Sequence, residues 1–178
     1  MLLQLTYMHA DYLLRPWEET DLSSLVKHAN NIKIARYLTN KFPHPYTEAS
    51  GRSFIAYANS SPGIIMAIEV EGEACGGIGI HLQDDVYVKN AELGYWLGET
   101  YWNRGIISRA IREITTLAFS SLEIDRIYAR PFGTNLSSQR VLQKVGYTLE
   151  ARLEKTFYKH DQYEDEFIYA MRRPAWEG

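Results

Sequence analysis

Cysteine occurs once, at Cys75, in a chain of 178 residues. One thiol forms no internal disulfide, which suits a reducing compartment. No apolar run is long enough to cross a membrane. The first residues, Met1, Leu2, Leu3, Gln4 and Leu5, have neither the basic start nor the small-residue cleavage site of a secretory signal. These absences predict a cytoplasmic protein that does not enter a membrane. Excess charge of one sign is also lacking. Lys and Arg number 19 and Asp and Glu 22, a formal net charge of −3 that argues against a nucleic-acid surface. The histidines include no pair with metal-ligand spacing, so no metal site is expected. No repeat, low-complexity stretch or linker divides the chain, and residues 1–178 read as a single domain. What the chain does have is apolar residues, 46% of the total, enough for a core and too many for disorder.

The order of elements follows from periodicity and punctuation. Residues 12–16 form a first strand, stopped by Pro16. Thr20 or Asp21 caps a helix through Leu22, Leu25, Val26 and Ala29, and a short helical piece follows around residues 32–37. Lys41, Phe42, Pro43, His44, Pro45 and Tyr46 make a proline-stiffened loop, and Thr47 and Glu48 open a helix to about residue 59. Strands at 64–70 and 76–82 flank a turn at Glu71, Gly72 and Glu73, so this pair is antiparallel. A third strand covers 91–97. Strand 126–130 ends at Pro131, Asn135 caps a helix that Gly146 closes, and 147–158 and 163–171 are two long strands. The fold class is therefore α+β (mixed α/β): a central mixed, mostly antiparallel sheet with helices on both faces.

The run Tyr101, Trp102, Asn103, Arg104, Gly105, Ile106, Ile107, Ser108 carries the strongest functional signal. A strand leads into a tight glycine loop that opens a helix. The unpaired N–H groups of a first helical turn and the helix dipole favour an anion, and a glycine lets a phosphate approach the backbone. Ile107, Ala110, Ile111, Ile114, Leu117 and Ala118 fall on the face of this helix that packs on the sheet, and Ser108, Arg109, Arg112 and Glu113 face elsewhere.

Three motifs resemble the GNAT superfamily of acetyl-CoA-dependent N-acetyltransferases, in particular its ribosomal-protein N-terminal acetyltransferase branch. They are Glu92-Leu93-Gly94-Tyr95-Trp96-Leu97, then Tyr101-Trp102-Asn103-Arg104-Gly105-Ile106, then the stretch that begins Asn135-Leu136-Ser137-Ser138 and ends Lys144-Val145-Gly146-Tyr147. The resemblance covers nearly the whole chain and is densest from 92 to 150. It implies acetyl-CoA as cosubstrate, no metal, and an amine acceptor, either a protein N-terminus or a small molecule. Dimers are common among such enzymes, so a homodimer is an expectation. Two places depart from the family's phosphate loop: Trp102 stands where Gln or Arg is usual, and Ile107 where Gly or Ala is usual.

Transfer from a thioester to an amine requires a base for the amine and a proton for the leaving thiolate. Glu92 is the first candidate base, because strand alternation sets it with Gly94 and Trp96, off the apolar face of Leu93, Tyr95 and Leu97. Its bland alternative is an ion pair with a surface arginine. The resemblance makes Glu150 a second catalytic candidate against a plain strand-edge charge. Asn135 is an N-cap that can also face the pantetheine arm. Ser138 shares a helix face with Val141, Leu142 and Val145, and an inward hydroxyl needs a partner. It donates either to the coenzyme A sulfur or to a carbonyl of its own helix.

Cofactor contacts are expected from Trp96, Leu97, Asn103, Arg104, Gly105, Ile106, Ile107, Ser108, Asn135, Ser138 and Lys144. Arg104 and Lys144 would act as cations toward phosphate; the alternatives are a solvated arginine and a lysine that stabilises its helix C-terminus. Cys75 reads as a small buried hydrophobe. Two rivals remain: a catalytically silent acyl-CoA-binding sensor, disfavoured by the presence of Glu92 and Ser138, and a nucleotide binder, disfavoured because no Lys-Ser/Thr pair follows the glycine.

Overall fold

A computed structural model describes residues 7–8 and 11–177. Eight strands form one sheet in the order β1-β2-β3-β4-β5-β6-β8-β7. They are β1 (Tyr7–Met8), β2 (Leu13–Pro16), β3 (Ile64–Val70), β4 (Glu73–Leu82), β5 (Asn90–Leu97), β6 (Arg126–Ala129), β7 (Thr148–Lys159) and β8 (Gln162–Arg172). The helices are α1 (Leu22–Ala29), α2 (Ile32–Ala35), α3 (Glu48–Ser60), α4 (Ile106–Ser121), α5 (Leu136–Val145) and α6 (Arg173–Glu177). Every neighbouring pair is antiparallel except β5 and β6. The expected mixed sheet with helices on both faces is what forms.

Two cores sandwich the sheet. On one face Ile78, Ile80, Leu93 and Leu97 pack with Ala110, Ile111 and Ile114 of α4 and Leu142 and Val145 of α5. On the other, Ala67, Ala74 and Trp96 pack with Leu25, Ala29 and Ile55 from α1 and α3, and with Trp17 and Tyr46. Strand alternation sorts the side chains: even-numbered β5 residues from Glu92 face α1 and α3, and odd-numbered ones face α4. Cys75 is fully buried in the first core, and burial pushes its thiol up to about 12, so it behaves as a hydrophobe.

Local chemistry explains the chain reversals. Glu71 and Gly72 both have positive φ, the backbone of a two-residue hairpin, and His160 and Asp161 repeat it between β7 and β8. β4 starts at Glu73, three residues before the expected Gly76, because such a tight turn lets pairing resume at once. Ser108 was expected to face away from the core, but it is 7% exposed. A helix lying in a cleft between sheet and neighbours buries more than its apolar stripe. Glu113, also expected outside, accepts a hydrogen bond from the Tyr12 hydroxyl. β1 and α6 have no counterpart in the sequence reading; a two-residue strand and a five-residue helix are too short for periodicity to mark.

The β7–β8 hairpin reaches back over the face that carries α1 to α3. Lys159 donates to the carbonyls of Ala35 (2.6 Å) and Leu38 just past α2. A lysine cation there adds a donor and positive charge at the C-terminal end of α2.

Leu142 is fully buried. Leu142→Ala should cost about 2–5 kcal/mol of unfolding free energy, the usual range for such a truncation. Val86→Ser, at a position 79% exposed, should stay within about 0.5 kcal/mol. Urea titration followed by circular dichroism checks both.

Candidate active site

The sheet parts in its middle. β5 and β6 pair at only three positions: Asn90 with Arg126, Ala91 with Ile127, and Glu92 with Tyr128. Beyond Glu92, β5 keeps its β4 partners from Leu93 to Leu97 and has no strand on its other side. An open strand edge inside a protein offers N–H and C=O groups that need a partner.

At the end of β5 stands the glycine loop. Asn103 and Gly105 both have positive φ, 61° and 73°. Gly105 is the residue before α4, and its left-handed backbone turns the chain into the helix. Arg109 N–H makes a bond to the Gly105 carbonyl at 3.3 Å, so the N–H groups of Ile106, Ile107 and Ser108 belong to the unpaired first turn. The space beside Gly105 is open: a Cβ there would meet only the Arg109 guanidinium, at 4.0 Å. Ile107, the departure from a small residue, packs toward the core and so does not obstruct the loop. Arg104 lays its guanidinium over the Tyr101 ring at 5.1 Å. The Trp102 indole donates to the Leu97 carbonyl at 2.7 Å, which ties the loop to the strand.

Across the gap α5 begins. The Asn135 side chain accepts the Ser138 N–H at 3.2 Å, the expected N-cap, and Gly146 closes the helix with φ 102°. Ser138 does not turn back to a carbonyl of its own helix. Its hydroxyl is 2.6 Å from the Tyr95 hydroxyl. This bond runs from β5 to α5 across the parted strands. Burial pushes the Tyr95 phenol well above its ordinary range, with Ser138 acting in the opposite sense, so Tyr95 stays protonated. Sequence reasoning missed Tyr95, although a tyrosine on an apolar strand face needs a partner for its hydroxyl.

Glu92 lies on the opposite face. Its two oxygens accept from Arg130, at 3.0 Å from Nε and 3.1 Å from Nη2, the fork geometry of a bidentate pair. The arginine pairing set out as its alternative is thus realised, and no free carboxylate stands there. Arg130 also reaches Glu166 at 3.4 Å. Glu150 accepts from Arg126 (2.6 Å) and Arg172 (3.1 Å). The Arg126 hydrogen bond is the main cause that lowers the Glu150 pKa, and a lowered pKa makes a weaker base. Trp96 turns its ring into the core beneath α1 and α3, 5.6 Å from Phe42, rather than toward the glycine loop. The backbone of Leu97 lines the gap while its side chain is in the α4 core. Lys144 is exposed near the end of α5, where its carbonyl accepts from Arg112 of α4. The structure brings Gly105, Ile106, Ile107, Ser108, Asn135 and Ser138 to the α4 side and leaves Glu92 and Glu150 on the other. Among the described residues no group of three His, Cys, Asp or Glu could hold a metal ion, and no helix is long and apolar enough to cross a membrane.

This parted sheet, with an anion-binding helix start at its mouth, is the architecture of an acetyltransferase. The profile of the GNAT acetyltransferase domain matches residues 11–148, and the chain belongs to that family. It is 32% identical over 116 residues to YdaF of Bacillus subtilis (strain 168), whose name proposes a ribosomal N-acetyltransferase. That match covers 65% of this chain and 63% of the relative, so the chain spans less than two thirds of it. It is 28% identical over 166 residues to YoaA of the same organism, an uncharacterized N-acetyltransferase, covering 91% of this chain and 93% of that one. Its fold superposes with a TM-score of 0.83 on RimL, a ribosomal L7/L12 alpha-N-protein acetyltransferase solved with coenzyme A, at 20% identity over 95% of this chain and 98% of that chain.

Gly105→Val should weaken acetyl-CoA binding at least about tenfold, since a branched side chain at positive φ both fills the approach and strains the loop. Isothermal titration reads it, and unchanged affinity would place the phosphate elsewhere. Glu150 makes a pH-dependent contribution. Its folded pKa is lowered, so the stability it adds is fully present above the unfolded value of about 4.3 and is lost as pH falls through the folded value. The difference in unfolding midpoint between wild type and Glu150→Gln should therefore be constant near neutrality and shrink below about pH 4. A difference that persists undiminished into strong acid contradicts the ion-pair account.

Proposed function

We propose that the acceptor is the α-amino group of a protein N-terminus and that reaction occurs in the gap between β5 and β6. One observation carries this reading: the gap joins two chemically different walls. On the α4 side stand the helix N–H groups and the Tyr95–Ser138 hydroxyl pair. On the other side stand a carboxylate and charged groups from β5, β6 and β8. The names of YdaF and RimL support a ribosomal-protein acceptor.

The N–H groups of Ile106, Ile107 and Ser108 would hold the pyrophosphate, with Arg104 and Lys144 as side-chain cations. The open edge of β5 offers hydrogen-bonding groups to the amides of the pantetheine arm, and Asn135 and Ser138 flank it. Bound in this way, acetyl-CoA supplies an acyl thioester already activated toward amines. Tyr95 donates to Ser138 Oγ, which frees the Ser138 proton to point into the gap toward a leaving thiolate. Glu92, held by Arg130, places negative charge on the acceptor side, where it attracts the amine in its ammonium form.

A thiolate is already a fairly good leaving group, so the acid contributes less than the base. Ser138→Ala should lower kcat on the order of tenfold, about 1.4 kcal/mol of barrier, with acetyl-CoA affinity little changed. Normal turnover in this variant would remove Ser138 from the reaction. A coenzyme A release screen across N-terminal peptides, polyamines, aminoglycosides and amino acids tests the acceptor. Peptides with a free α-amine should give the highest kcat/KM, and their N-acetylated forms should be inert. A polyamine or aminoglycoside that outruns every peptide overturns the acceptor assignment.

A further inference from the structure

The sheet face opposite α4 carries an imidazole with one nitrogen to spare. His81 stands on β4 directly across from Glu92. Its Nδ1 is 3.0 Å from the Tyr57 hydroxyl of α3, and the two rings stack with an interplanar angle of 9°. Its Nε2 has no hydrogen-bond partner among the described residues. That nitrogen overhangs a bare patch of sheet where Gly79 and Gly94 face each other in register; a Cβ on either would lie 3.1 or 3.5 Å from it. Gly94 is two residues past the last rung that joins β5 to β6, so Nε2 looks over the strand segment that walls the gap. The groups that face His81 are Tyr57 from α3, Glu92 from β5 and Lys41 from the loop before α3. Burial lowers its pKa and Lys41 adds to this, while Glu92 opposes both, so the ring is uncharged at neutral pH.

We propose that His81 accepts the proton of the incoming amine through Nε2, with Nδ1–H donating to Tyr57 and Glu92 stabilising the imidazolium that forms. The proposal rests on the amine-transfer reading above. One proton passes from the acceptor ammonium to Nε2, the nitrogen lone pair of the amine is left free, and the imidazolium returns the proton to water before the next turnover. Glu92 has both oxygens engaged by Arg130, whereas Nε2 has nothing to give up.

Nitrogen-15 NMR of the acetyl-CoA-free protein at neutral pH should show His81 neutral with its proton on Nδ1. The Nε2–H tautomer, or an imidazolium, overturns the proposal. In kinetics, His81→Gln should lower kcat about 10²-fold or more and abolish the acidic limb of the pH–rate profile, the mark of a lost general base. Its acetyl-CoA affinity by calorimetry should stay within about twofold. Glu92→Gln should keep the acidic limb. Near-normal turnover of His81→Gln sinks the role of His81 alone. A wild-type enzyme that acetylates no amine in the screen sinks the transfer reading, and the role of His81 falls with it.

Discussion

Two strands that start as a ladder and then separate set the terms for everything around them. The parallel contact of β5 with β6 lasts three residues, and past it the sheet has an internal edge. A buried backbone edge must be satisfied, and Trp102 closes part of that need by taking the Leu97 carbonyl, while Tyr95 bridges to the Ser138 hydroxyl. What is left open is the space between the end of β5 and β6. Both helices that follow the parted strands begin beside it: the first-turn N–H groups of α4 are unpaired, and Asn135 caps α5. Polarity of that space is thus a consequence of topology, and the particular side chains refine it.

Charge on the acceptor face is arranged as alternating neighbours. Arg126 of β6 and Arg130, four residues further on, point to the same face, where Arg126 holds Glu150 and Arg130 holds Glu92 and Glu166. Each carboxylate is matched by a guanidinium, which keeps three acids close together without mutual repulsion. His81 stands beside this array uncharged. A neutral lone pair among fixed charges is suited to moving a proton, and the fixed charges are suited to orienting what it serves.

Short-range features could be read from the sequence because their cause is local. Glu71 and Gly72 announce a turn, Gly105 a helix start, and Asn135 with Gly146 the two ends of a helix, each through the backbone preference of a residue type. The family resemblance singled out the glycine loop, and helical periodicity set Ser138 on an inward face. The partners were not legible. Tyr95 and Ser138 are 43 residues apart, Glu92 and Arg130 are 38 apart, and no periodicity couples positions on different elements. Nor could the reading of Glu92 as a free carboxylate survive contact with the neighbouring strand, because a period of two fixes a face and says nothing about which arginine shares it. The irregular register of β7, with Lys155 at positive φ, lies beyond such patterns for the same reason.

The contact of Lys159 with the carbonyls of Ala35 and Leu38 has a consequence for how the protein is made. It joins segments more than 120 residues apart, one from the first quarter of the chain and one from the last. As the polypeptide leaves the ribosome, α4 emerges well before the β7–β8 hairpin and α5 just before it. The half of the molecule that holds the glycine loop and Ser138 is therefore synthesised before the roof over the opposite face, which is added last. A nascent chain reaches its cofactor side before it has a finished mouth for an acceptor.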